Sequence, residues 1–284
     1  MCLWAFICEV SAKSGDWLLE KVVFAGTWQK FFANFGLESF DDFFDYSQGQ
    51  IINKNTKRNV CELAFGEGDN RKVFFRKRFF SPHVKDMIFA WRSFGSLTSQ
   101  AAVEWHNANM LLENGIETYR PVCYGAQTKF SLERKSFFIT EKLPGIALTD
   151  FVSEKWSQLS QQQKEAIIVS LGKLVRKIHE AQISLPDLYL WHVFIKENLN
   201  SEQYDFAVID LHRMGHNISN QNQLLKNLGR LDHSMLDKYF DERSRKLLIE
   251  AYAGDNRPEE ITNLIQQVKK CSSAVSAKRR AKPY

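Results

Sequence analysis

Between residues 59 and 80 the chain alternates apolar and polar positions, NVCELAF then KVFFRKRFF, around the turn GEGDN. A two-residue period predicts paired strands, and Gly66 and Gly68 supply the positive φ angles of a tight reversal. LTSQAAVEWHNANMLLEN, residues 97–114, is rich in helix formers and ends at Gly115, which predicts a helix with a glycine C-cap. A short strand near PVCYG, a turn at TKFSLERK and an apolar strand in SFFITEKLPG follow, the last stopped by Pro144 and Gly145. From 161 to 180 apolar residues recur at 167, 168, 171, 174, 175 and 178, a helical period. That helix leads into a loop at 184–190, the strand HVFI, a polar turn KENLNSEQYD and the strand FAVID, closed by Asp210. Beyond 220 the pattern is helical in LLKNLGRLDHSMLDKYF, in ERSRKLLIEAYA and in PEEITNLIQQVKK, with Pro258 at a first helical position. The expected fold is α+β: a small β-rich lobe with one helix over 1–142, a connector near 141–148, and a larger helical lobe over 143–284.

Composition changes this picture little. With 284 residues, 44% hydrophobic and 25% charged, the chain suits one large or two small domains and excludes a disordered or fibrous class. Five cysteines without a CxxC pair indicate neither a zinc ribbon nor a disulfide framework, and a reducing cytosol is their simplest home. The apolar opening MCLWAFICEV has no Lys or Arg ahead of it and is short; it is expected to be a strand or an irregular start, not a secretory signal or a spanning helix. A net charge of +5 is concentrated in AKRRAKPY, which reads as a solvated tail or as a contact for anionic lipid, nucleic acid or an acidic partner. No basic stripe interleaved with aromatics accompanies it, so nucleic-acid binding is not expected.

The chemistry lies in an order of parts. A strand lysine (Lys77), a helix glutamate (Glu104), an acid and a histidine at the entrance of a hairpin (Asp187, His192) and an acid at its exit (Asp210) follow one another. This is the order found in protein-kinase-like phosphotransferases, which predicts the two-lobe protein-kinase-like fold. Phosphoryl transfer is catalysed mainly by positioning and by charge stabilisation. Lys77 is therefore expected on the nucleotide phosphates with Glu104 as its ion pair, and Asp187 on the acceptor hydroxyl. Asp210 is expected on Mg²⁺, and His192 where a second metal-binding group sits. Magnesium prefers oxygen donors, so His192 has a second reading, as a hydrogen-bond partner of Asp187 or of a phosphate. Each residue alone also has an ordinary reading: Lys77 in a solvated basic run, Glu104 as one helix acid among several, His192 as a half-buried histidine beside Trp191.

FFRKRF, AAVEWHNANMLLENGIE, FFITEKLPG, PDLYLWHVFI and VIDLHRM also resemble the bacterial lipopolysaccharide core kinases, the group of the inner-core heptose kinase and the Kdo kinase. The resemblance spans roughly residues 45 to 235, and VIDLHR with D-x-x-x-x-H is its most specific pair. It implies ATP- and Mg²⁺-dependent phosphorylation of a sugar hydroxyl on a lipid-linked core oligosaccharide. It also implies a cytoplasmic protein peripheral to the inner membrane, with an anionic membrane surface as a further expected contact of the basic C-terminus. Lys77, Glu104, Asp187, His192 and Asp210 take the family's positions, and Arg213 follows in its DLHR. For the acceptor, Arg213 and His216 are the first candidates, then Arg230 and His233. Two departures stand out. Leu185 and Pro186 replace the usual His-Arg before the catalytic acid, and the turn before Lys77 has the single Gly49 instead of GxGxxG, leaving side chains such as Asn53 and Arg58 to help hold phosphates. A binding scaffold that has lost its chemistry, and a small-molecule phosphotransferase of the same shape, are the competing readings.

Overall fold

The computed structural model describes residues 18–54, 56–80, 98–130, 132–196 and 204–284; the apolar opening MCLWAFICEV lies outside them. The chain divides into two compact units, Met1–Met110 with Tyr119–Leu143, and Leu111–Thr118 with Pro144–Tyr284. It is a mixed α and β protein.

The first unit is built on a six-stranded sheet: β1 (Leu18–Phe24), β2 (Gln50–Lys54), β3 (Arg58–Phe65), β4 (Lys72–Phe80), β5 (Pro121–Lys129) and β6 (Leu132–Glu141). Its order is β1-β5-β6-β4-β3-β2, every neighbouring pair antiparallel. The hairpin expected over 59–80 forms as β3 and β4, paired from Arg58↔Phe79 to Phe65↔Lys72, with Gly66 at φ +83° in the turn. The turn expected over 128–135 is shorter. Both strands continue through it, pair as far as Lys129↔Leu132, and reverse at Phe130 in the left-handed region. Polar residues there misled the pattern, because ladder hydrogen bonds and cross-strand contacts, not hydrophobicity, carry the strands to their tip.

One face of this sheet carries two short helices that the hydrophobic pattern leaves unread, α1 (Trp28–Ala33) and α2 (Phe40–Phe44). Phe24, Phe32, Phe40, Phe43, Phe44, Phe65, Phe74 and Phe137 bury their rings together there. Each contributes roughly 1.5–3 kcal/mol by leaving water. Gly125 has no side chain because Phe137 and Phe40 fill the space, a Cβ there standing 3.0 Å from the Phe40 ring. Arg76 of β4 is also inside, 1% exposed, donating to the carbonyls of Phe43 and Tyr46. Arg78, two residues on, donates to the carbonyl of Phe44 at 2.7 Å. A two-residue period puts both arginines on this face and Lys77 on the other. RKRFF is thus a clamp on the end of α2 and not a solvated basic face.

The opposite face receives α3 (Gln100–Glu113) through Phe79, Ala101, Ala102, Trp105 and Phe138. Ser99 caps it, its hydroxyl accepting from the Ala102 N–H at 3.1 Å, and Gly115 follows at φ +66°. Buried Glu133 of β6 accepts from the Gln100 N–H at 2.9 Å, so strand and helix share a hydrogen bond where unsatisfied N–H groups and the dipole favour an anion.

The second unit holds a three-stranded antiparallel sheet, β7 (Ile146–Ala147), β8 (Val193–Ile195) and β9 (Phe206–Val208), in the order β7-β8-β9. Its helices are α4 (Leu148–Lys155), α5 (Gln161–Glu180), α6 (Gln221–Ser234), α7 (Glu242–Ala253) and α8 (Pro258–Ser276). Helix α5 runs over the expected residues, opened by a reciprocal box between Ser160 and Gln163. Helix α6 stops at Ser234 although the apolar pattern continues to Phe240, and α8 runs past the expected Lys270. Two close approaches set the packing. A Cβ on Gly172 of α5 would stand 2.6 Å from the Leu248 carbonyl of α7, and one on Gly229 of α6 would stand 2.5 Å from Cys271 of α8.

Candidate active site

In the first unit, Lys77 and Glu104 form an ion pair. Lys77 lies opposite Val60 and Phe138 in the sheet, and its face of β4 is the one α3 packs on. Glu104 is 2% exposed, Lys77 retains 19% of its side-chain surface, and the Tyr119 hydroxyl reaches the other carboxylate oxygen at 3.4 Å. Carboxylate and ammonium are both costly to bury, and each offsets the other's cost only at contact distance. An amine anchored by a buried carboxylate while part of its side chain stays exposed suits an anionic ligand.

In the second unit, the loop Ile183–Tyr189 carries Asp187 and is held by side chains. Asn227 of α6 accepts from the Leu185 N–H at 2.8 Å and from the Ser184 hydroxyl at 3.1 Å, and Ser234 accepts from the Leu190 N–H at 2.9 Å. Ser184 also exchanges two 2.9 Å backbone hydrogen bonds with Gly215, tying this loop to the one after Asp210. These contacts brace the loop where Leu185 and Pro186 stand in place of His-Arg.

His192 ends a short 3₁₀ turn, Leu190–His192, and its Nδ1 lies 2.8 Å from the Asp187 carbonyl oxygen. A carbonyl only accepts, so Nδ1 carries the proton and Nε2 presents a lone pair. Burial pushes the His192 pKa down, against the pull of the Asp187 carbonyl and of the two carboxylates nearby, so the ring is neutral. Nε2 then faces the Asp210 carboxylate at 3.7 Å, lone pair toward lone pair. Asp210 sits two residues past β9 at φ +65°, and its other oxygen is 2.8 Å from Nδ1 of His212. A non-glycine residue in the left-handed region is uncommon outside Asn and Asp, and such strain collects at functional sites. An imidazole nitrogen and a carboxylate oxygen converging in this way suit a cation.

Arg213 lies against Asp187. Both oxygens of Asp187 accept from its guanidinium, one from Nε at 2.6 Å, and this pairing raises the Arg213 pKa. Sequence marked Arg213 only as an acceptor contact; its spacing of 26 residues from Asp187 carries no local signal. His216 is half-buried in the same loop and Arg230 half-buried on α6, while buried His233 pairs with Ser276 of α8 at 2.8 Å. Asn53 is exposed on β2 and Arg58 opens β3. Sequence missed Asn227 and Ser234, which look like ordinary polar helix positions, and Glu133, one charge in an expected turn.

The model of the lipopolysaccharide kinase (Kdo/WaaP) family matches residues 43–252. The chain belongs to this family. Two curated relatives, both lipopolysaccharide core heptose(I) kinase WaaP from Escherichia coli, one of them from strain K12, are each 30% identical to it. The K12 match runs over 147 residues, 50% of this chain and 55% of the relative; the other runs over 171, 58% and 63%. The chain thus spans a little over half the length of the curated relatives it matches. A solved structure of WaaP in complex with acyl carrier protein shares the fold with a TM-score of 0.69 at 20% identity, covering 90% of this chain and 99% of that one. Among the described residues no helix is long and apolar enough to cross a membrane.

Proposed function

We propose that this Kdo/WaaP family member is an ATP-dependent kinase that transfers the γ-phosphate to a sugar hydroxyl, heptose or Kdo, of the lipopolysaccharide inner core. The observation that carries the reading is the Lys77–Glu104 pair: a partly exposed lysine held by a buried carboxylate on the helix that packs against its strand. In this reading the chain adopts the protein-kinase-like two-lobe arrangement, N-lobe 1–142 and C-lobe 143–284. Lys77 neutralises the α- and β-phosphates. Asp187 orients the acceptor hydroxyl and takes its proton as the new oxygen–phosphorus bond forms and the bond from the γ-phosphorus to the ADP oxygen breaks. Asp210 would hold Mg²⁺ through its carboxylate oxygens, the donors that ion prefers, with the His192 nitrogen 3.7 Å from one of them as a weaker second donor. When bound, that ion spreads the charge of the phosphates.

The protein works at the cytoplasmic face of the inner membrane, and exposed Lys278 and Arg280 give it cations for an anionic surface. The solved relative's acyl carrier protein makes a carrier protein a partner to test by pull-down. The test of the main reading is phosphate transfer from ATP to purified core oligosaccharide, with product mass as readout and a thermal shift by ATP and Mg²⁺ alongside. Binding without turnover would favour a scaffold, a second reading that the Arg213 grip on both Asp187 oxygens supports.

A further inference from the structure

The basic run Ala277–Tyr284 is folded back on its own unit. The Tyr284 hydroxyl donates to the Ser234 carbonyl at 2.8 Å and accepts from the Leu236 N–H at 3.2 Å. Its ring stacks on Tyr239, centroids 5.6 Å apart and planes 10° from parallel, and burial pushes its pKa up to about 12. Ser234 is also the residue whose hydroxyl holds Leu190, so one position links the end of this segment to the loop bearing Asp187.

Between these anchors the segment lays two cations on aromatic faces. Tyr189 and Trp191 stack at 4.5 Å, and they lie in sequence between Asp187 and His192. The Arg279 guanidinium is 5.7 and 5.8 Å from their ring centroids, and the Lys282 ammonium is 4.9 Å from that of Trp191. A cation over a ring face is positioned without being neutralised, unlike one in an ion pair. Both residues stay exposed. A merely solvated tail would need neither the Tyr284 lock nor the aromatic platform.

We infer that Arg279 and Lys282 form a specificity subsite for an oxyanion, phosphate or carboxylate, carried by the acceptor sugar and held over the loop that bears Asp187. The inference rests on the sugar-kinase reading for its ligand, and binding separates the two. Calorimetry with the full chain and core oligosaccharide should give a dissociation constant about tenfold weaker in R279Q/K282Q, the loss of charge-assisted hydrogen bonds. In turnover, KM for the oligosaccharide should rise far more than kcat falls. Tyr284→Phe keeps the charges and loosens the anchor, and should weaken binding less, with circular dichroism confirming the fold of both variants. A sugar acid and a sugar phosphate as competitors tell which oxyanion the pair takes. Weakened binding in a protein without turnover would retain the subsite and remove the kinase. Unchanged affinity in R279Q/K282Q, a loss confined to kcat, or no oligosaccharide binding by the parent protein would overturn the subsite.

Discussion

The lysine and the aspartates are held in place by different means. Lys77 and Glu104 sit on regular elements, a central strand and a helix docked on it by Phe79, Ala101, Ala102 and Trp105. Asp187 and Asp210 sit on loops, placed by a few hydrogen bonds that involve Asn227, Ser234, Gly215 and His212. Packing over a large area tolerates small losses, because many contacts share the work. A loop held by a few directional bonds keeps an acid available to substrate and loses position when one bond goes. The anchored end should therefore answer mutation in stability as well as in turnover, and the loop end chiefly in turnover.

The sharpest break of this contrast is Asp187→Ala. It should lower kcat by about 10²–10⁴-fold, the usual range for a general base, while the ATP thermal shift persists. Retained turnover would remove Asp187 from its role. Lys77→Ala leaves Glu104 charged in a site where it is 2% exposed, and should cost about 3–5 kcal/mol of stability, read from urea unfolding. A loss of turnover with unaltered stability would show that the pair is not buried in the folded protein.

Stability should also respond to pH. His179 of α5 is buried with Nδ1 2.9 Å from the Tyr252 hydroxyl, and burial lowers its pKa from 6.5 to about 4. A base with a depressed folded pKa takes its proton more readily when unfolded, so its stability contribution is complete above pH 6.5 and is lost as pH falls toward 4. At about 1.4 kcal/mol per pH unit the full loss is about 3 kcal/mol. Urea midpoints of parent and His179→Gln, compared at pH 7 and pH 4.5, should converge at the lower value; a constant gap would reject the linkage. The smallest effect is expected from Asn227→Ala, which strands the buried Leu185 N–H and should cost about 1–3 kcal/mol. It should also lower kcat at a temperature where the variant stays folded, and a full kcat in the folded variant would dissolve the contrast.

The same division governs what the sequence discloses. The β3–β4 hairpin was legible because alternation and two glycines state it locally, and α5 because its period and its Ser160 box agree. Helices α1, α2 and α4 are too short for a 3.6-residue period to repeat, and α1 and α2 lie among phenylalanines that make every face apolar. Lys77, Glu104, Asp187, His192 and Asp210 are marked as candidates by their order along the chain. The bracing residues Glu133, Asn227 and Ser234, and the hold of Arg213 on Asp187, depend on encounters between distant segments that no local pattern records.

Arg76 gives strand β4 a single permitted phase. Sliding the strand one position along its neighbours would drag a guanidinium out from the α2 carbonyls toward α3, and push the ammonium of the next residue among phenylalanine rings with nothing to receive it. Both misplacements are charged, so the mispaired sheet is excluded by electrostatics before packing is even compared. The fold thus uses an inert arginine to guarantee which way its chemically useful neighbour looks.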